Sequence, residues 1–170
     1  DSVFHFPKPT IAMIQGYCFG GGMGLAVACD IRLCEDKSRF AIPAAKLGLG
    51  YGYEGIRRLA NLVGPAMVKE IFFTSRQFSA GEAQEMCLVN RVLPPQMLAP
   101  YVDDYAKRIS ENAPMTMESV KAIVQAIQDD ESARDLDALD AMVKACFASQ
   151  DYIEGRRAFM EKRKPNFTGS

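Results

Sequence analysis

The feature that most constrains this chain is the run Gly20-Gly21-Gly22, flanked by Gly16 and Gly24 and set between two apolar segments of different character. Before it, Thr10-Ile11-Ala12-Met13-Ile14 follows Lys8-Pro9 as a short β-rich run, which predicts a strand buried on both faces. After it, the segment Met23–Cys29 reads as a buried helix ended by Asp30. A strand that turns into a helix through glycines leaves the first helical amides without internal acceptors, at the end of the helix that favours negative charge. Because glycine carries no Cβ, a ligand can approach those amides closely. Two readings are open from the glycines alone: a tight turn with no ligand, or a donor site for an oxyanion. Other glycine motifs do not fit. No G-K-[ST] follows, as a phosphate-binding loop would need, and G-x-G-x-x-G from Gly20 fails at Leu25.

Further along, Ile31–Cys34 and Arg39–Ile42 read as short strands joined by the polar turn Glu35-Asp36-Lys37-Ser38, so the chain is expected to be α/β. Pro43–Tyr53 reads as a glycine-rich loop and Glu54–Leu62 as a helix closed by Gly64, with Pro65 starting the next helix. Ser79-Ala80-Gly81-Glu82 has the pattern of a capping box, opening a short helix through Cys87, and Asn90–Leu93 is a brief strand. From Gln96 onward the pattern is helical. Apolar stripes run through Met97, Leu98, Tyr101, Val102, Tyr105 and Ile109, through Met117, Val120, Ile123, Val124 and Ile127, and through Leu136, Leu139, Met142, Val143, Cys146 and Phe147. Three such helices after a small α/β part need a surface to cover, on their own sheet or on a neighbouring subunit. Pro94-Pro95 divides residues 1–93 from the helical residues 94–170.

Composition narrows the function. With 170 residues and 48% hydrophobic content the chain can bury a core, and a net charge of -1 gives no electrostatic reason to expect nucleic acid or an anionic membrane. No apolar run approaches membrane-spanning length. The five cysteines form no C-x-x-C pair and sit in apolar runs, so they are expected to be buried reduced thiols of a cytoplasmic protein, with no metal site. His5 is the only histidine, which excludes a histidine-based triad within these residues. The chain begins at Asp1 and reaches its first strand abruptly, so upstream sequence is expected to be missing.

Several collinear stretches carry a resemblance. Pro9-Thr10-Ile11-Ala12, Gly16 to Gly22, Ala28-Cys29-Asp30-Ile31-Arg32, Phe40-Ala41-Ile42-Pro43, Leu47-Gly48, Arg57-Arg58-Leu59, Val63-Gly64 and the tail Phe159 to Pro165 together resemble the crotonase (enoyl-CoA hydratase/isomerase) superfamily over nearly the whole chain. The resemblance implies the C-terminal portion of a ββα spiral followed by a helical trimerisation region. It implies a homotrimer or hexamer, acyl-CoA thioesters as substrates, coenzyme A entering as part of the substrate, and no separate cofactor. The family's upstream part, which carries the first oxyanion amide, has no counterpart here.

Position by position, the resemblance gives Gly21 the second oxyanion amide, with Gly20 and Gly22 beside it. A hydratase of the family has glutamates where this chain has Gly24 and Ala44, so both carboxylates that handle water are missing. Near the expected acyl pocket stand Tyr51, Tyr53 and Glu54. Tyr51 matches a tyrosine of the methylmalonyl-CoA decarboxylase branch, where it would orient a thioester carboxylate; it also fits as an amphipathic wall residue. Glu54 fits a general acid/base or an ordinary first-turn helix carboxylate. Phe159 and Lys162, and with them Val143, match residues that reach the adenine and phosphate end of coenzyme A on a neighbouring subunit. Lys162-Arg163-Lys164 equally fits a solvated basic end of the last helix. The expected function is that of an acyl-CoA enzyme stabilising a thioester enolate. A malonyl-CoA-type decarboxylase is the alternative within that class, and a non-catalytic acyl-CoA-binding or assembly subunit the alternative outside it.

Overall fold

In the computed structural model, which describes residues 2–170, the first four strands alternate between two small sheets. β1 (Ile11–Ile14) is followed almost at once by β2 (Tyr17–Phe19), and then come α1 (Gly21–Ala28), β3 (Ile31–Glu35) and β4 (Arg39–Ala41). β1 pairs with β3 in parallel, Ile11 against Ile31, and β2 pairs in parallel with β4, Tyr17 against Arg39. The chain changes sheet at Gly16, whose φ of 67° suits glycine. There the Gly16 amide donates to Glu35 Oε1 at 2.9 Å and its carbonyl accepts from the Arg39 amide at 3.0 Å. The matching jump between β3 and β4 is held by fully buried Ser38, whose hydroxyl donates to the Ile14 carbonyl at 3.2 Å.

A turn of 3-10 helix (Ala45–Leu47) leads to α2 (Tyr53–Val63) and α3 (Pro65–Thr74). Gly64 reverses the chain between them at φ 79°, and Pro65 occupies the first helical turn, where a missing N–H costs nothing. β5 (Phe78–Ser79) runs antiparallel to β4, and α4 (Ala80–Glu85) opens with the predicted capping box: Ser79 Oγ accepts from the Glu82 amide and Glu82 Oε2 from the Ser79 amide. β6 (Arg91–Leu93) completes the first sheet in the order β1-β3-β6. Buried Arg32 ties this layer together, its guanidinium donating to the Leu88 and Cys29 carbonyls at 2.7 and 2.6 Å. Such bonds are what a buried charge requires, and burial still lowers its pKa.

The rest of the chain is α5 (Pro95–Ser110), α6 (Pro114–Gln128), a 3-10 turn (Glu131–Ala133), α7 (Leu136–Ala148) and α8 (Gln150–Glu161). Two compact units result: Thr10–Asp104 with the residues up to Phe6, and Tyr105–Ser170 with Pro7–Pro9. The first holds both sheets and a core of Met23, Phe40, Leu59, Ile71 and Phe78. In the second, α6 packs on α7 and α7 on α8. No helix among the described residues is long and apolar enough to cross a membrane.

Several expectations need correction. β1 is not buried on both faces, since Met13 is 46% exposed. α1 starts at Gly21 rather than Met23, and its Leu25 lies on an outer face. Four helices follow Pro94, because Ser149 caps a new helix where the third stripe ends. No residue of α7 is fully buried: within the stripe Leu139, Met142, Val143 and Cys146 are half-buried, while Leu136 and Phe147 at its ends are exposed. Of the cysteines only Cys18 and Cys34 are buried, which pushes their thiols up to about 11 and about 12; Cys87, in a left-handed turn after α4, is exposed.

Candidate active site

β1 and β3 are clamped where they begin. Asp30 accepts from the Thr10 amide at 2.7 Å and from its hydroxyl at 2.8 Å, which fixes α1 between the two strands. At the other end of α1, Gly20 takes φ 50° and ψ -113°, a conformation that L side chains avoid. Its own amide is committed to the Ala41 carbonyl of β4 at 2.9 Å, so it is not free to donate elsewhere. The Gly20 carbonyl accepts the first bond of the helix, from the Gly24 amide at 3.0 Å. The amides of Gly21, Gly22 and Met23 therefore precede the hydrogen-bonded ladder. No side chain caps this end and no acidic residue occupies its first turn. Gly21 and Gly22 are exposed, and a Cβ built on either meets nothing within 4 Å.

Beside this turn is a recess of about 60 Å³, bordered by Met23, Gly24, Val27, Ile42, Tyr51 and Phe72. Tyr51 is the group that links recess and turn. Its ring meets Phe72 edge to face at 4.9 Å, and its hydroxyl lies 3.9 Å from where a Cβ on Gly20 would be. Arg58 also borders the recess, with its guanidinium carbon 4.1 Å from the centre of the Phe4 ring. Gly24 contributes no side chain to this wall. Ala44, 4% exposed, packs into the core, and its carbonyl receives the amides of Leu47 and Leu49.

Glu54 stands apart from the recess. It occupies the first turn of α2, and Arg57 Nη2 reaches its Oε2 at 2.8 Å. Tyr53 is 72% exposed. In the second unit, Val143 and Phe159 line one apolar groove of about 640 Å³, together with Ile123, Phe147 and Tyr152. Lys162 does not continue α8 as predicted: it is the left-handed cap at φ 54°, and Arg163 and Lys164 lie beyond the helix. The structure thus brings Gly20, Gly21, Gly22 and Tyr51 together in one unit, and Val143 and Phe159 together in the other. Sequence reasoning missed Phe72, which fixes the Tyr51 ring; nothing local in α3 marks it as a neighbour of the Pro43–Tyr53 segment. Among the described residues no cluster of His, Cys, Asp and Glu could hold a metal ion.

The chain that carries this turn is similar in sequence and fold to known proteins. The family model for enoyl-CoA hydratase/isomerase matches residues 1–170. The chain belongs to that family. Curated relatives include a crotonyl-CoA hydratase of Syntrophomonas wolfei, 40% identical over 162 residues, and a carnitinyl-CoA dehydratase of Citrobacter koseri, 37% identical over 171 residues. These matches take in 94% and 98% of this chain but 62% and 66% of the relatives, so the chain spans just under two thirds of their length. Among solved structures, an enoyl-CoA hydratase/carnithine racemase from Magnetospirillum magneticum superposes with a TM-score of 0.91 at 35% identity, over 100% of this chain and 63% of that one. The crotonase-like α/β fold expected of this enoyl-CoA hydratase/isomerase family member is thereby established.

Proposed function

We propose that the protein is an enzyme acting on acyl-CoA thioesters, and that the Gly21 amide stabilises the negative charge that forms on the thioester oxygen. The observation that carries this reading is the free first turn of α1, open at Gly21 and Gly22 and anchored through Gly20 to β4. A donor fixed in this way needs no reorganisation when charge develops, and one such donor is worth roughly 10²–10³-fold in rate. The names of the relatives, a crotonyl-CoA hydratase and a carnitinyl-CoA dehydratase, support thioester chemistry. On the same reading Val143, Phe159 and Lys162 meet the nucleotide end of coenzyme A held by a neighbouring copy, in a trimer or hexamer.

A second reading concerns the reaction itself. Neither Gly24 nor Ala44 offers an oxygen to position or deprotonate water, and the polar side-chain atom beside Gly20 is the Tyr51 hydroxyl. This favours a reaction that needs an enolate and little acid–base help, such as decarboxylation of a malonyl-CoA-type thioester. The bond from the α-carbon to the carboxylate breaks, its electron pair moves into the thioester to give the enolate, and carbon dioxide leaves. A proton from solvent then returns to the α-carbon. Tyr51 would hydrogen-bond the departing carboxylate.

The test compares, for the full-length protein, hydration of crotonyl-CoA with decarboxylation of methylmalonyl-CoA and ethylmalonyl-CoA. Decarboxylation is expected to be the faster. Hydration on the order of 10 s⁻¹ or above, a rate typical of enzymes, would refute the carboxylate-free reading. Tight binding of all three with no turnover would instead make the protein an acyl-CoA-binding or assembly subunit.

A further inference from the structure

The basic run after α8 is held by acidic residues of the same helix. Arg163 is fully engaged: its Nη1 and Nη2 meet the two carboxylate oxygens of Glu154 at 2.6 and 2.9 Å, and its Nε meets Glu161 at 2.6 Å. Glu154 Oε1 also accepts the Asn166 amide at 3.0 Å. One turn earlier, buried Asp151 accepts the amides of Thr168 and Gly169 at 2.7 and 2.9 Å, and the Ser170 backbone oxygen returns to the Gln150 and Asp151 amides. The segment after α8 therefore runs back along its own helix, stitched from end to end.

That reversal requires a left-handed residue at the helix end, a place where glycine is the usual occupant. Here it is Lys162, at φ 54° and ψ 39°. A side chain in this conformation is strained, so a lysine kept there needs a reason beyond the turn. Ser75, also left-handed, has one: its hydroxyl donates back to the Phe72 carbonyl. Among the described residues the Lys162 ammonium has neither an ion pair nor a hydrogen bond. Its amide donates to the Phe159 carbonyl, which puts the cap directly after the aromatic that borders the apolar groove.

We propose that Glu154 is a positioning residue: by clasping Arg163 it fixes the reversal at Lys162, so that one uncommitted ammonium is displayed beside Phe159 for the phosphates of a nucleotide-bearing acyl carrier. The inference rests on the acyl-CoA reading above. It assigns Arg163 to the protein rather than to the ligand, although the sequence Lys162-Arg163-Lys164 makes the three cations look equivalent. Lys164 is the looser of the other two, largely exposed and 3.4 Å from Glu111.

The experiment titrates full-length protein with free coenzyme A and with pantetheine, which lacks the nucleotide phosphates. Lys162→Gly should weaken coenzyme A binding by about two- to fivefold, the scale of a partly exposed charge contact, and leave pantetheine unchanged. Its melting temperature should stay level or rise, because glycine suits the cap. Glu154→Gln should give the same selective loss, with no further loss when the two changes are combined. Glu154→Asp, too short to clasp both guanidinium nitrogens, serves in its place if the glutamine variant does not fold. If Lys162→Gly leaves coenzyme A binding intact, the phosphate contact assigned to this end of the chain is wrong. If Lys162→Gly weakens binding and both Glu154 variants do not, the contact stands and the positioning role is overturned. Equal losses for coenzyme A and pantetheine in the Glu154 variants would reduce the clasp to a structural feature and also overturn the proposal.

Discussion

The two glycines that flank the start of α1 should respond to the same substitution with opposite signs. Gly20 has φ 50° and ψ -113°, so Gly20→Ala forces an L residue into a region costing about 1–3 kcal/mol. The nearest atom to the new methyl is the Tyr51 hydroxyl at 3.9 Å, an ordinary contact, so the penalty comes from the backbone and not from crowding. Gly21, the next residue, is already helical, and a Cβ there meets nothing within 4 Å. Gly21→Ala should therefore stabilise by up to about 0.5–1 kcal/mol through lower unfolded-state entropy. Urea unfolding midpoints of the full-length protein, measured at one protein concentration, should move down for the first variant and up for the second. Turnover should not follow stability. The empty space over Gly21 is where the thioester oxygen is proposed to lie, so Gly21→Ala should slow the reaction at least about tenfold, up to the roughly 10²–10³-fold worth of a single donor. A Gly21→Ala enzyme that is more stable and equally active would refute a thioester oxygen seated in that space. A neutral Gly20→Ala would refute the strain argument.

Two further outcomes follow from the charges and the exposed apolar residues. Glu82, held by the Ser79 amide and then by Arg76, and Glu154, held by Arg163 and then by the Asn166 amide, are both lowered to about 2. Their contribution to stability is complete above the usual carboxylate range near 4.5 and is lost as pH falls from there toward 2. Melting temperatures should fall across that window, and less steeply in Glu82→Gln or Glu154→Gln; an unchanged acid profile in both variants would contradict the assignment. Separately, the outward faces of α6, α7 and α8, with Ile127, Leu136, Phe147 and Met160 all more than 60% exposed, should be covered by other copies in a trimer or hexamer. Sedimentation showing a monomer across micromolar concentrations would overturn this.

The parts of the fold that were legible in the sequence are those written locally. The Ser79–Glu82 capping box, the Gly64-Pro65 break and the strand–glycine–helix order each depend on neighbouring residues, and each appears where expected. Long-range placement was not legible. That β1 and β2, separated by Gln15 and Gly16 alone, enter different sheets depends on partners at Glu35 and Arg39. The contact of Tyr51 with Phe72 depends on how α3 returns to the loop before α2. The Lys162 cap was hidden for another reason: Lys162-Arg163-Lys164 fits the basic end of a helix, and the contacts that turn the chain back come from Glu154 and Asp151 on the preceding turns of α8.

The change of sheet at Gly16 also bears on how the first unit opens. Because β1 and β2, and then β3 and β4, go to different sheets, the pairs β1–β2 and β3–β4 are successive windings bonded strand to strand, as in a one-dimensional array of coupled units. Within this chain β3 lies between β1 and β6, and β4 between β2 and β5, so the β3–β4 winding has a neighbour on each side. It also carries Leu33, Cys34 and Ser38, all with no exposed surface. With a neighbouring strand on each side in both sheets, this winding should be among the last parts of the unit to open. The glycine turn follows β2, and its amide at Gly20 is tied to Ala41 on this same winding. Loosening elsewhere in the unit can therefore leave the first turn of α1 held in its direction.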